Sequence, residues 1–313
     1  MYKRQIYEGM QKEFGDKVRL DYEQGCSLDG NDESGFSAAL KTAEASDVVV
    51  VCLGESKQWS GENASRSTIA LPDIQEKLLL HLKQANKPIV LVLSSGRPLE
   101  LIRLEPQVEA IIEMWQPGVA GGTPLAGILS GRVNPSGKLP MTFEKRWEDN
   151  PAYNSYHDPD GDKHVAYTEG VFIGYRGYDK LKRDVQYPFG YGLSYTTFKL
   201  SSVTVSKQNA DGTVEVTCKL TNTGKKEGAQ VVQVYVGKAG SSAVERPEKE
   251  LRKFEKVFLK AGESKAVKMV IPQSAFTYFD VNTKKFVKDA GNYNVMLGFS
   301  SRDIKVQKVV QIN

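Results

Sequence analysis

The chain contains few of the residues from which disulfide frameworks and metal sites are built. Its three cysteines, Cys26, Cys52 and Cys218, are too few and too scattered for a disulfide framework or a zinc cluster. Its three histidines form no H-E-x-x-H motif, and no other residues have metal-ligand spacing. We therefore expect no metal site.

Long apolar runs are also lacking, since none approaches the ~20 residues that a helix needs to span a bilayer. No secretory signal follows Met1. The 42 basic and 38 acidic residues give a net charge of +4, which is spread along the chain. There is no basic stripe with interleaved aromatic residues, as nucleic-acid binding would favour. Neither a membrane nor a nucleic acid is an expected partner.

The sequence motifs of several enzyme classes are missing. The turn Gly54-Glu55-Ser56 follows a strand-like run but lacks the dinucleotide-binding pattern G-x-G-x-x-G. The phosphate-binding pattern G-x-x-x-x-G-K-[ST] does not occur. No G-x-S-x-G elbow follows a strand, so a hydrolase with a Ser-His-Asp triad fits the sequence poorly.

The chain does contain two distinct patterns of apolar residues, of which the first covers residues 5–150. Continuous apolar runs alternate there with helix-like segments: the runs are 48–53, 88–93 and 108–115, and the helices are 36–45, 72–85 and 124–129. Continuous apolar runs are typical of strands buried on both faces. This pattern predicts an α/β sandwich, that is, a mainly parallel sheet with covering helices.

The second pattern begins near residue 198, where apolar and polar residues alternate in short runs separated by turns. Five clear runs are 203–205, 213–220, 230–236, 265–271 and 291–297. About seven short strands in this length predict an all-β sandwich of the fibronectin type III or immunoglobulin-like kind. The segment between the two patterns has no period. We therefore predict domains at 1–145 and 198–313, joined by an irregular connector at 146–197.

Glu62 is the best catalytic candidate that the residues themselves suggest. It lies in a polar segment after the apolar run 48–53, and open α/β sheets bind their ligands outside the carboxyl ends of their strands. Glu55 is nearer the strand end, and we interpret it as a hydrogen-bonded loop carboxylate. Trp59 is placed to stack on a sugar ring, although a lone loop tryptophan more often serves packing. The competing interpretation of Glu62 is a solvated surface residue.

Six motifs follow one another along nearly the whole chain. They are Gly54-Glu55 with Ser60-Gly61-Glu62-Asn63-Ala64-Ser65-Arg66; Pro88-Ile89-Val90-Leu91-Val92-Leu93 with Gly96-Arg97-Pro98; Trp115 with Pro117-Gly118 and Gly121-Gly122; Asn134-Pro135-Ser136-Gly137-Lys138-Leu139-Pro140; Tyr187-Pro188-Phe189-Gly190-Tyr191-Gly192-Leu193-Ser194-Tyr195-Thr196; and Thr221-Asn222-Thr223-Gly224. With these motifs in register, the sequence resembles family 3 glycoside hydrolases, and among them the bacterial periplasmic-type β-glucosidases.

The resemblance implies an enzyme with three domains: a (β/α)8-type barrel, a six-stranded α/β sandwich and a fibronectin-type domain. This chain matches the second and third domains. In the family the general acid/base is a Glu on a sandwich loop, and Glu62 matches that position. Trp59, Arg66 and Glu55 are implied as substrate-binding residues, with Glu55 in a supporting role. The family's nucleophile is an Asp on the barrel, which is not among these residues.

The resemblance thus implies the C-terminal portion of a retaining exo-β-glucosidase that acts on a β-glucoside or oligosaccharide without a cofactor. By the same likeness we expect a periplasmic or secreted protein. A β-xylosidase or another exo-glycosidase of the family is one alternative, and a non-catalytic carbohydrate-binding or scaffolding module is another. Because the chain begins inside a helix-like segment at 5–14, we expect a portion of a longer enzyme. A separate barrel chain is the alternative to a barrel in cis, and a homodimer stays open.

Overall fold

The computed structural model describes residues 2–64, 66–155, 161 and 163–313, with side chains from residue 5 onward. Ser65 of the Glu62 segment lies outside these residues, as does His157 of the predicted connector. Among the described residues, no helix combines the length and the apolar character that crossing a bilayer requires.

The chain forms two compact units. Unit 1 comprises Met1–Val133 and Phe143–Glu148, and unit 2 comprises Asn134–Thr142 and Asp149–Asn313. Each unit has its own sheet system, as the two apolar patterns predict.

Unit 1 is a parallel sheet with helices. Its helices are α1 (Tyr2–Phe14), α2 (Phe36–Glu44), α3 (Asp73–Leu82) and α4 (Gly122–Leu129), and its strands are β1 (Val49–Gly54), β2 (Ile89–Ser94) and β3 (Ala110–Glu113). The strand order is β1-β2-β3, and both pairs are parallel. The predicted α/β architecture is confirmed. The described residues supply three of the six strands that the resemblance implies for the complete domain.

The central strand β2 shows why a continuous apolar run is needed here. Leu91 and Val92, whose side chains point to opposite faces, are 0% and 1% exposed. Ile6 of α1 and Leu125 of α4 belong to the same buried cluster as Val92. The third predicted run is longer than the strand it forms, because the left-handed backbone of Trp115, with φ of +54°, follows the end of β3 closely.

Helix α3 also follows the predicted pattern, with small differences at its ends. Its apolar stripe is buried and consists of Ile74, Leu78, Leu79 and Leu82. The helix begins at Asp73, so that Pro72 caps it instead of lying in its first turn. Beyond Leu82 the chain continues as a short 3-10 turn, Lys83–Ala85, in place of the last predicted α-helical residues.

Unit 2 is mainly antiparallel. Its elements are α5 (Tyr175–Lys180), β4 (Phe198–Val205), β5 (Val214–Asn222), β6 (Gly228–Lys238), β7 (Glu250–Leu259), β8 (Ser264–Ile271), β9 (Thr277–Asp280), β10 (Lys285–Lys288), β11 (Gly291–Gly298) and β12 (Ile304–Ile312). One sheet has the order β12-β11-β6-β7 and the other β4-β5-β8, while β9 and β10 form a hairpin. Side chains of both sheets share one buried core. The predicted seven-stranded sandwich is confirmed, with the hairpin in addition.

The predicted connector is not wholly irregular, because it contains the helix α5. Tyr175 of this helix stacks on Phe189 at 4.8 Å between ring centroids and meets Tyr235 of β6 edge-on at 6.0 Å. These ring contacts hold the helix against the rest of unit 2. A Cβ on Gly177 would lie 2.2 Å from the Phe172 carbonyl oxygen, so only glycine fits there. Six residues with a central glycine give no helical period in the sequence, which is why the pattern did not predict α5.

Candidate active site

The three parallel strands of unit 1 end at one edge of the sheet, and the candidate residues lie in the segments that leave this edge. Strand β1 ends at Gly54, β2 at Ser94 and β3 at Glu113. We call this the carboxyl edge. In open α/β sheets it is the edge where ligands bind.

Gly54 fixes how the chain leaves β1. Its φ is +155°, and a Cβ at this position would lie 2.0 Å from the Ser94 carbonyl oxygen, so only glycine fits. The Gln75 side chain of α3 accepts a hydrogen bond from the Gly54 N–H and donates one to the Gly54 carbonyl, both at 2.8 Å. It also donates to the Leu28 carbonyl at 2.7 Å. Gln75 therefore ties the start of the following loop to α3 and to the segment that contains Leu28.

Glu55, the next residue, has a buried and fully engaged carboxylate. Its side chain is 2% exposed, and it forms ion pairs with Arg66 at 3.0 Å and with Arg97 at 3.2 Å. The N–H of Gly96 also donates to it, at 3.3 Å. Arg66 and Arg97 are themselves largely covered, with side-chain exposures of 13% and 24%. A carboxylate in this setting is stable only because charged donors compensate for its desolvation.

Trp59 is held by the same two arginines. The guanidinium of Arg66 lies over its ring, with 4.7 Å between the guanidinium carbon and the ring centroid. The Nη2 of Arg97 donates to the Trp59 carbonyl oxygen. The next residue, Ser60, accepts a longer hydrogen bond from the Gln116 side-chain amide at 3.4 Å. The part of the loop before Glu62 is thus tied to the segments that follow β2 and β3.

Glu62 lies at the tip of this loop. Residues Gly61 to Ala64 form a turn that is closed by the Ala64 N–H donating to the Gly61 carbonyl at 3.2 Å. Gly61 has φ of +115° and Asn63 has φ of +57°, a left-handed conformation that asparagine tolerates better than most residues. The Glu62 side chain is exposed. It makes no hydrogen bond or ion pair with another residue that the structure describes.

Glu113, at the end of β3, carries a second carboxyl group, which lies near that of Glu55. Burial raises the pKa of Glu113 to about 8, and the nearby Glu55 charge adds to the rise. The Trp115 N–H donates to Glu113 at 2.6 Å, and the Ser95 hydroxyl lies 3.5 Å from both carboxyl oxygens. These donors lower the pKa but do not offset burial. Glu113 is therefore mostly protonated at neutral pH and stabilises the turn at Trp115.

The structure brings three of the four candidate residues into direct contact. Glu55 and Trp59 each contact Arg66, so these three residues form one network, whereas Glu62 on the same loop is exposed and has no described contact with them. Arg97, which has no predicted role in the sequence, joins this network. One signal was available: Arg97 closely follows the carboxyl end of β2, as Glu55 follows that of β1.

The sequence of the chain is similar to those of several known proteins. The chain is 40% identical to the thermostable beta-glucosidase B of Acetivibrio thermocellus, over 98% of this chain and 41% of that relative. It is 40% identical to an exo-alpha-(1->6)-L-arabinopyranosidase of Bifidobacterium longum, over 92% of this chain and 38% of the relative. It is 39% identical to a periplasmic beta-glucosidase of Salmonella typhimurium, over 91% of this chain and 37% of the relative. The chain thus spans about two fifths of the length of these curated relatives.

The crystal structure of a Bifidobacterium adolescentis GH3 beta-glucosidase superposes with a TM-score of 0.92 at 38% identity, covering 98% of this chain and 45% of that one. The family model of the fibronectin type III-like domain matches residues 230–301. The model of the glycosyl hydrolase family 3 C-terminal domain matches residues 1–175, which is more than half of the chain. The chain belongs to glycosyl hydrolase family 3.

Proposed function

We propose that this chain is the C-terminal portion of a retaining, exo-acting β-glucosidase and that Glu62 is its general acid/base. The observation that carries the proposal is the presentation of Glu62. It is exposed and without a described partner at the tip of a turn, on a loop whose base is tied down by Glu55, Arg66 and Arg97. A proton-transferring carboxyl group needs this combination of free access and fixed placement.

The chemistry needs a second carboxylate. In a retaining glycosidase one carboxylate attacks the anomeric carbon while the other protonates the departing oxygen, and the two groups are ~5–5.5 Å apart. The second group then takes a proton from the water that hydrolyses the glycosyl-enzyme. We assign the second role to Glu62 and the nucleophile to an Asp on an N-terminal barrel, either in cis or as a separate chain. The lengths of the relatives support this, because the chain spans only 41% of the Acetivibrio thermocellus enzyme.

For the substrate, we propose terminal non-reducing β-D-glucosyl residues. The β-glucosidase names of the bacterial relatives and of the Bifidobacterium adolescentis structure support this choice. Another exo-glycosidase specificity is the second candidate, because an arabinopyranosidase matches the chain at the same 40% identity. Trp59 and Arg66 would line the approach to Glu62 as substrate-binding residues. We also propose a periplasmic or secreted location, which the Salmonella typhimurium relative supports.

The test is hydrolysis of aryl β-glucosides, β-xylosides and α-L-arabinopyranosides. The chain would be assayed alone and after fusion to the part of the Acetivibrio thermocellus relative that it does not match, in which the proposal places the barrel; we call this the barrel fusion. We expect turnover only in the fusion, greatest with the glucoside, and at least a hundredfold lower kcat/KM for phenyl β-glucoside in Glu62→Gln. Glu44→Gln, an exposed glutamate of α2, serves as the matched control. Turnover by the chain alone that Glu62→Gln abolishes would show that the nucleophile lies within these residues and would overturn this division of roles.

A further inference from the structure

We propose that Glu55 is a positioning residue for Glu62. Its carboxylate binds Arg66 and Arg97, and these two arginines fix the chain on the two sides of the Glu62 turn. The inference rests on the proposed role of Glu62 and assigns Glu55 a function other than contact with the sugar.

The burial of Glu55 argues against direct contact with a substrate. Its side chain is 2% exposed, and its carboxylate is occupied by Arg66, Arg97 and the Gly96 N–H. With the side chain this covered and three donors around its carboxylate, a sugar hydroxyl has no open approach to it. The carboxylate therefore acts on its protein neighbours.

Those neighbours hold the chain on either side of Glu62. Trp59 lies before the turn, and its carbonyl accepts a hydrogen bond from Arg97. Arg66 lies after the turn and packs over the Trp59 ring. Through these two arginines, one carboxylate connects the beginning of the loop with Trp59 before the turn and Arg66 after it. Since Glu62 has no described partner of its own, its placement depends on this base.

The negative charge of Glu55 is the feature that the network needs. The guanidinium groups of Arg66 and Arg97 both approach this carboxylate within 3.2 Å and are mostly covered from solvent. With a neutral amide at position 55, two partly buried cations would face each other without compensation. The amide also offers one acceptor oxygen in place of two, so one arginine would lose its partner. Aspartate keeps the charge but is shorter, and so restores the network in part.

The first test follows Trp59 directly in the 313-residue chain. The chain has three tryptophans, so labelling with 5-fluorotryptophan gives three fluorine NMR signals. Trp59→Phe assigns the Trp59 signal, and Trp147→Phe assigns that of Trp147, which lies in the segment Phe143–Glu148 of unit 1. We expect Glu55→Gln to shift or broaden the Trp59 signal, while the Trp147 signal stays in place. Glu55→Asp should return the Trp59 signal part of the way. A Trp59 signal that matches the parent in Glu55→Gln, or Trp59 and Trp147 signals that both move, would overturn the proposal.

A second variant keeps this test decisive if Glu55→Gln does not fold, which loss of all three dispersed signals would reveal. Arg97→Lys preserves the charge facing Glu55 but removes the second nitrogen that reaches the Trp59 carbonyl. We expect it to move the Trp59 signal as well. An unchanged Trp59 signal in Arg97→Lys would contradict the proposal.

The second test separates positioning from a general structural effect by comparing leaving groups in the barrel fusion. Phenyl β-glucoside needs a proton from the acid, whereas 2,4-dinitrophenol leaves without one. We expect Glu55→Gln to lower kcat/KM at least tenfold for phenyl glucoside and less than threefold for 2,4-dinitrophenyl glucoside, with Glu55→Asp between parent and Glu55→Gln. If Glu55→Gln lowers kcat/KM equally for both glucosides, its effect is a general loss of folded enzyme, and the proposal is overturned.

The two proposals fail in distinguishable ways. Glu62→Gln should show the same leaving-group dependence while the Trp59 fluorine signal stays at its parent position. If Glu62→Gln leaves kcat/KM for phenyl glucoside unchanged, the acid/base assignment fails. A Trp59 signal that moves in Glu55→Gln would still show that Glu55 holds the loop.

Discussion

The Nη1 atom of Arg66 lies 3.0 Å from the carboxylate of Glu55, so an ion pair joins residues 11 positions apart in the chain. This contact closes the loop at its base and leaves Glu62 at its tip. The start of the loop is also fixed to the sheet, because Glu55 directly follows β1 and its N–H donates to the Ser94 carbonyl at 2.9 Å. A surface loop can in this way hold a reacting group within the small tolerances that catalysis demands.

The buried ion pairs of Glu55 should matter for stability. Glu55→Ala leaves the mostly covered Arg66 and Arg97 without their anion, and we expect unit 1 to lose about 3 kcal/mol of unfolding free energy or more. The control is Asp21→Ala, which breaks an ion pair with Arg19 whose side chains are 40% and 71% exposed. Exposed pairs contribute about 0–1 kcal/mol. Urea unfolding of both variants makes the comparison, and equal losses would refute it.

The raised pKa of Glu113 predicts a dependence of stability on pH. The folded-state pKa of about 8 exceeds the unfolded value of 4.5, so the folded protein binds more protons between these values. The stabilising contribution of protonated Glu113 is fully present below pH 4.5 and is lost as the pH rises through 8. Glu113→Gln cannot ionise and keeps an acceptor for the Trp115 N–H. Its Tm relative to the parent should therefore rise from pH 5 to about pH 8 and level off above that pH.

Glu44→Gln, at an exposed position of α2, is the matched control. If the Tm difference between Glu113→Gln and the parent is the same at pH 5 and pH 9, Glu113 does not titrate in this range and its proposed protonation at neutral pH is wrong.

Two neighbouring residues of β7 test which face of this strand points into the core of unit 2. Leu259 is 2% exposed and belongs to the shared core, whereas Phe258 is 66% exposed on the other face. Leu259→Ala should lower the unfolding free energy of unit 2 by about 2–5 kcal/mol. Phe258→Ala should change it by no more than about 0.5 kcal/mol. A larger loss at Phe258 in urea unfolding would mean that the strand faces the opposite way.

The sequence predicts the fold better than the contacts of the site. Continuous apolar runs identify strands such as β2, because a strand covered on both faces must be apolar throughout. Alternation identifies strands such as β5, in which Val214, Val216, Cys218 and Leu220 are buried in turn. Helix α5 depends on tertiary contacts and leaves no such pattern.

Within the site, the topology rule places Glu55 and the Glu62 loop at the carboxyl edge. The partners of Glu55 are harder to foresee, because Arg97 is 42 positions away and meets it only through the parallel pairing of β1 with β2. The rise in the pKa of Glu113 likewise follows from burial, which spacing along the chain does not reveal.

The acid/base assignment of Glu62 is tested most directly by azide rescue in the barrel fusion. In Glu62→Gln the glycosyl-enzyme should still form from 2,4-dinitrophenyl β-glucoside but react slowly with water, which has lost its general base. Azide needs no base, so it should raise the turnover of Glu62→Gln severalfold and yield β-glucosyl azide, while leaving Glu44→Gln unaffected. If Glu62→Gln hydrolyses the substrate at the parent rate and forms no glucosyl azide, Glu62 is not the acid/base.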